Sequence, residues 1–156
     1  MPFPPVSERF ERLEEALQIC LQMWSDDDGP YRGRHHVLEE TLCRPRPVSE
    51  PRPRILIGGG GEKKTLRLVA TYADACNLMG SPPEVAHKLE VLHRHCDVVG
   101  RDPDEIEVTA LYVPSSTDAA DGLAGAQAFA DVGVSTLVTS TVGDDPAGAL
   151  ESTFGR

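Results

Sequence analysis

Ile55-Leu56-Ile57-Gly58-Gly59-Gly60-Gly61-Glu62-Lys63-Lys64-Thr65-Leu66-Arg67-Leu68 runs from a short, fully apolar strand through four glycines into an amphipathic helix. An all-apolar strand is expected to be buried on both faces, as in a parallel sheet covered by helices. Glycines at its carboxyl end let the backbone turn sharply, and no Cβ keeps a ligand from the amides. The helix that follows aims its first N–H groups and positive dipole end at the same place, which makes an anion site there physically reasonable. A phosphate-bearing cofactor is one natural occupant. A glycine-rich turn that binds nothing explains this feature equally well.

Composition narrows the function classes. A chain of 156 residues is long enough for one domain with a core and short for two. A formal charge of −10 argues against binding to nucleic acid or an anionic membrane, both of which favour Lys and Arg. No stretch approaches the apolar length of a membrane span, and Met1-Pro2-Phe3-Pro4-Pro5 lacks the basic and apolar regions of a signal peptide. Cys20, Cys43, Cys76 and Cys96 form no C-x-x-C pair, so reduced thiols in a cytoplasmic protein are expected.

Outward from the glycine run, the pattern alternates. Ser7 is the expected cap of a helix reaching about Trp24, with Phe10, Leu13, Leu17, Cys20 and Trp24 on its buried stripe. Asp26-Asp27-Asp28-Gly29-Pro30 carries turn chemistry, and residues 31–40 read as a small hairpin around Gly33. Residues 44–54 hold Pro45, Pro47, Pro51 and Pro53 and should be extended on the surface. Four strand–helix units follow. Strand 54–58 leads to helix 62–72, with Thr65, Leu66, Val69, Tyr72 and Ala73 buried. Strand 75–79 leads to helix 83–99, with Val85, Leu89, Leu92, Cys96 and Val99 on one face and Gly100 as C-cap. Strand 106–113 precedes helix 118–132, and strand 135–141 precedes a helix near 146–154. Successive βα units imply a parallel sheet with right-handed crossovers. A doubly wound sheet and part of a (β/α)8 barrel both satisfy that pattern.

Several motifs fail on inspection. The Walker pattern needs glycine directly before its Lys-Thr pair, and Lys63 stands there. The Rossmann fingerprint needs a third glycine, and Lys63 occupies that position too. His87, His93, His95 and Cys96 read as a solvated helix face with Cys96 on the buried stripe, because positions two apart do not face each other. His35-His36 receive no chemistry, and Glu14-Glu15 and Glu39-Glu40 read as solvated surface carboxylates. No catalytic and no metal-binding residue is assigned. Lys63 and Lys64 oppose the helix dipole, which an anion bound at that end would offset.

The run from Arg52 to Ala70 resembles the luciferase-like monooxygenase superfamily, in its branch that uses the deazaflavin coenzyme F420. The flanks are similar as well. Arg9-Phe10-Glu11-Arg12-Leu13-Glu14-Glu15-Ala16-Leu17 looks like that branch's helix entry, and Tyr31-Arg32-Gly33-Arg34-His35-His36 like its hairpin. Tyr72-Ala73-Asp74-Ala75-Cys76-Asn77-Leu78 looks like the next strand, and Arg101-Asp102-Pro103-Asp104-Glu105-Ile106 like the approach to the one after.

The resemblance implies a (β/α)8 barrel with a flavin or deazaflavin at the carboxyl ends of its strands. By position, Gly58, Gly59, Gly60, Gly61 and the amide of Glu62 would lie against the cofactor phosphate. The cofactor implied is F420, with FMN as the alternative. The family's first four strands, which carry its acid–base residues, have no counterpart here. The chain therefore reads as one partial barrel domain over 1–156, with strands five to eight. Residues 1–53 form a leading helix, hairpin and Pro-rich connection, and 54–156 form the four βα units. The implied function is the carboxyl-terminal fragment of an oxidoreductase that transfers a hydride between deazaflavin and an organic substrate, inactive alone. A non-catalytic half-barrel serving cofactor binding or assembly, and an FMN-dependent monooxygenase relative, are the alternatives. The half-barrel should also self-associate through exposed edges.

Overall fold

The computed structural model describes residues 3–113, 119–140, 145, 147–148 and 151. The chain divides into two compact units, Met1–Arg54 and Ile55–Arg156.

The first unit is built on helix α1 (Val6–Trp24). Its N-cap is Pro5, not the expected Ser7, and no side chain caps it. The proline ring fixes a φ suited to helix entry, and the Pro5 carbonyl accepts the Arg9 N–H at 3.0 Å, so the first turn closes before Ser7. The expected stripe is only partly covered: Leu17 is buried but Leu13 is 40% exposed, and the charged Glu15 is buried beside it. Strands β1 (Tyr31–Arg32) and β2 (Val37–Leu38) form the expected antiparallel hairpin, closed by the Gly33 N–H on the His36 carbonyl at 2.8 Å. The proline-rich segment is not a simple extended run. It proceeds through bends, with the Arg44–Pro45 and Glu50–Pro51 peptides cis. Proline fixes its own φ but not the isomer of the bond before it.

The second unit holds a four-stranded parallel sheet in sequential order: β3 (Leu56–Gly58), β4 (Ala75–Leu78), β5 (Glu107–Leu111) and β6 (Thr136–Val138). Helices α2 (Thr65–Tyr72), α3 (Pro82–Val99) and α4 (Ala119–Asp131) follow the first three strands. An α/β fold with parallel, adjacent strands in chain order is thus as expected.

Register decides which side chains share a face. Ile57 pairs Cys76, which in turn pairs Val108, and Leu78 pairs Ala110, which in turn pairs Leu137. Ile57, Cys76, Leu78 and Ala110 are buried on this face, as are Leu66, Leu68 and Val69 of α2 and Val85, Leu92 and Cys96 of α3. The other face carries Leu56, Leu111 and Val138, which are 56%, 37% and 47% exposed. Strand β3 is therefore buried on one face only, because no second layer among the described residues of the unit covers the other.

Helix α2 begins at Thr65, three residues later than the periodicity indicates. The Leu66 N–H reaches back to the Gly61 carbonyl at 3.0 Å, which leaves residues 62–64 as a turn. Leu68 and Ala70 join the buried stripe, while Tyr72 is only half-buried. Helix α3 starts with a capping box between Ser81 and Glu84 and ends, as expected, at Gly100 with φ +68°. Val99 is 45% exposed and drops out of its stripe. Of the helix expected near 146–154, residues 147, 148 and 151 are helical, and the remainder lies outside the described residues, as does Asp118. Among the described residues no helix is long and apolar enough to cross a membrane.

Candidate functional site

Strand β3 delivers the chain into the glycine turn at its carboxyl end. Gly59 has φ +117°, a conformation L side chains rarely adopt, and its N–H donates to the Asn77 carbonyl at 3.0 Å. That bond carries the β3–β4 ladder one residue past the strand. A Cβ on Gly61 would lie 2.8 Å from Thr65 Oγ1, so a side chain here would force Thr65 to shift at the close return of α2. Gly58 and Gly60 answer to different demands. A Cβ on Gly58 would meet nothing within 4 Å, and one on Gly60 would touch only the Lys88 stem at 3.6 Å. Gly58 leaves space on the uncovered face of the sheet, at the strand end where a ligand would approach the turn.

Glu62 follows directly and is held from α3. Its carboxylate pairs with Lys88 Nζ and lies 3.3 Å from His87 Nε2, while its carbonyl is 2.7 Å from His95 Nε2. The hydrogen bond and charge of Lys88 hold the Glu62 carboxyl below its ordinary range against the opposing effect of burial. His87 and His95 are therefore engaged with the turn and are not simply a solvated helix face. Cys96 is buried, as its place in the stripe requires.

One register step across the uncovered face, Gly58, Asn77, Thr109 and Thr136 form a row through all four strands. Asn77 Nδ2 donates to Thr109 Oγ1 at 2.8 Å, and that hydroxyl donates to the Cys76 carbonyl at 3.0 Å. The row is polar and uncharged. It escaped the reading of the sequence, where Asn77 and Thr109 were only strand residues. The signal available was a polar residue on the same alternate position of two neighbouring strands. Burial pushes the Cys76 thiol up to about 11 and the Cys96 thiol upward as well, so neither supplies a thiolate nucleophile. Among the described residues no group of three His, Cys, Asp or Glu side chains could hold a metal ion.

The first unit contains a separate polar cluster. Glu15 accepts the backbone N–H groups of Arg34 (2.6 Å), His35 (3.0 Å) and His36 (2.9 Å), and it lies 2.9 Å from His36 Nδ1. Glu11 takes His35 Nε2 at 2.7 Å and the Arg34 guanidinium at 2.8 Å. Glu15 is not the solvated carboxylate its sequence context indicates, because the hairpin folds over it. Every partner in the cluster is satisfied locally, which marks it as a staple.

The sequence profile of the luciferase-like monooxygenase family matches residues 4–150, and the chain belongs to that family. The F420-dependent glucose-6-phosphate dehydrogenase of Microbacterium testaceum is 29% identical over 121 residues, covering 73% of this chain and 35% of the relative. The pyrimidine monooxygenase RutA of Acinetobacter baylyi is 26% identical over 129 residues, covering 80% of this chain and 34% of the relative. An F420-dependent secondary alcohol dehydrogenase solved with an F420–acetone adduct superposes with a TM-score of 0.83 at 15% identity, over 96% of this chain and 61% of that one. That last likeness is one of fold. The chain spans about a third of the length of these curated relatives.

Proposed function

We propose that this chain is the carboxyl-terminal half of a luciferase-like (β/α)8 barrel, with β3 to β6 as the barrel's fifth to eighth strands. In this reading 1–156 is one partial barrel domain, and the turn Gly58–Gly59–Gly60–Gly61 with the Glu62 amide receives the phosphate of F420, FMN being the alternative. The observation that carries it is the open space at Gly58. A glycine turn at the carboxyl end of a parallel strand faces the uncovered side of the sheet, in a member of this family. Barrel chemistry sits at that end. The residues present fit a phosphate: backbone amides in a tight turn beyond the Gly59 N–H, which the ladder uses, no Cβ in the way, and the nearest carboxylate already paired.

The bound deazaflavin supplies the hydride chemistry, between itself and an organic substrate. This chain's own residues anchor the phosphate, set the turn, and offer the Asn77–Thr109 row on the same face. Anchoring a phosphate without enclosing the ring leaves little of the contact area on which cofactor affinity depends. The 156-residue chain alone therefore binds F420 or FMN weakly and turns nothing over. With β3 and β6 outermost among the described strands of the sheet, it self-associates. Four free cysteines accord with a cytoplasmic setting.

Titration followed by deazaflavin and flavin fluorescence tests this, with glucose 6-phosphate and simple enones as substrate probes. Weak binding without oxidation or reduction of the cofactor is the expected result. Micromolar binding with substrate-dependent change in the cofactor would overturn it and make this half a working enzyme. The uncovered face and free edges favour one second reading, a non-catalytic assembly module, and self-association with no response to either cofactor would support it.

A further inference from the structure

We propose that Lys88, aided by His87, is a positioning residue of the glycine turn. It neutralises the Glu62 carboxylate and holds it against α3, so that a phosphate-bearing ligand can approach the Gly58–Glu62 amides, a role that rests on the phosphate reading above. A carboxylate one residue beyond the glycines has the wrong sign for such a site. At a separation of several ångströms near a protein surface, one unpaired negative charge would weaken binding of a phosphate roughly tenfold.

The structure answers that charge from one helix, α3, with two contacts to the carboxylate and a third to the main chain of the same residue. Lys88 Nζ pairs with the carboxylate, His87 Nε2 lies 3.3 Å from it, and His95 Nε2 holds the carbonyl of the same residue at 2.7 Å. Side chain and main chain of Glu62 are thus gripped together. The Lys88 stem also lies over Gly60, 3.6 Å from where a Cβ would stand, so the same side chain that cancels the charge bounds the turn. The grip is only as firm as α3. That helix is secured by its capping box and left-handed Gly100 at the ends, and by Val85, Leu89 and Leu92 in the core.

The experiment follows backbone amide shifts at Gly58–Glu62 while FMN and, separately, inorganic phosphate are added. It compares the unaltered chain, Lys88→Met, Lys88→Arg, Glu62→Gln and the double variant Lys88→Met/Glu62→Gln, with thermal unfolding recorded for each. The methionine keeps the stem over Gly60 and removes the charge. Lys88→Met is expected to weaken FMN binding about tenfold and Lys88→Arg to restore it. Glu62→Gln should bind at least as tightly as the unaltered chain, and the double variant should recover, since no charge remains to be cancelled. Equal binding by Lys88→Met and the unaltered chain would overturn the role of Lys88 and leave the phosphate site standing. A double variant as weak as Lys88→Met would overturn neutralisation in favour of direct contact between Lys88 and the ligand. Weaker binding by Glu62→Gln would overturn it too. Turn amides of the unaltered chain that ignore both probes would remove the phosphate site itself, and this role with it.

Discussion

Two adjacent glycines separate folding from binding at the residue scale. Gly59 sits at φ +117°, where a Cβ is strained whatever the space, so Gly59→Ala is expected to cost about 1 kcal/mol in denaturant unfolding. Gly58 needs no such backbone and has open space beside it. Gly58→Ala should leave stability unchanged or slightly raised, and should lower FMN binding by putting a methyl group on the uncovered face. Loss of stability at Gly58 with binding intact would place the ligand elsewhere. Glu15 supplies a different residue-scale prediction. Burial raises its pKa, but the N–H groups of His35, the His36 ring, Arg34 and the His36 N–H outweigh that and lower it from 4.5 to about 2. The folded value lies below the unfolded one, so the carboxylate's contribution is complete above about pH 4.5 and is lost as pH falls through about 2. The amides of Arg34, His35 and His36 should titrate together near that lower value. Glu15→Ala should expose them to hydrogen exchange already at neutral pH. Amides that respond only at the ordinary carboxylate range would show that Glu15 does not organise the hairpin.

At the scale of the element, helix α3 shows what periodicity alone can and cannot rank. Leu92 and Val99 occupy the same stripe by spacing, yet one is 1% exposed and the other 45%. Leu92→Ala should destabilise the second unit by about 2–5 kcal/mol, and Val99→Ala should stay within about 0.5 kcal/mol, by urea unfolding. Comparable losses at both would mean that the end of α3 is packed as tightly as its middle. The stripe was legible because the helix repeats every 3.6 residues. The release of Val99 was not, because it depends on what the fold packs against the end of α3. Helix α2 makes the complementary case. Its apolar residues were recognisable, but its start moved to Thr65 because the Gly61 carbonyl captured the Leu66 N–H across a wider turn.

On the scale of the whole molecule, the sheet of the second unit has one covered face and two outer strands. Exposed Leu56 and Val138 on the strands outermost among those described, with Leu111 beside Val138, invite pairing with another copy. Sedimentation should show concentration-dependent association, strengthened by salt, since a charge of −10 opposes it at low ionic strength. A monomer that unfolds cooperatively at every salt concentration would show that the open face is stable in water and would end the self-association reading.

The sequence by itself determined the kinds of element and their order: the glycine turn after an apolar strand, Gly100 at the end of α3, and the alternation of strands and helices. These follow from interactions among residues at most a few positions apart, where spacing and backbone preference suffice. Only the tertiary structure decided that Glu62 is gripped from α3 by Lys88, 26 residues away, and that Glu15 gathers hairpin N–H groups from 19 to 21 residues away. It also decided that one face of the sheet stands open and that Asn77 and Thr109 meet on it, 32 residues apart. A carboxylate has the same letter whether it is solvated or buried under donors. Its role is set by what the fold carries to it, and that information lies in long-range packing, which local spacing does not encode.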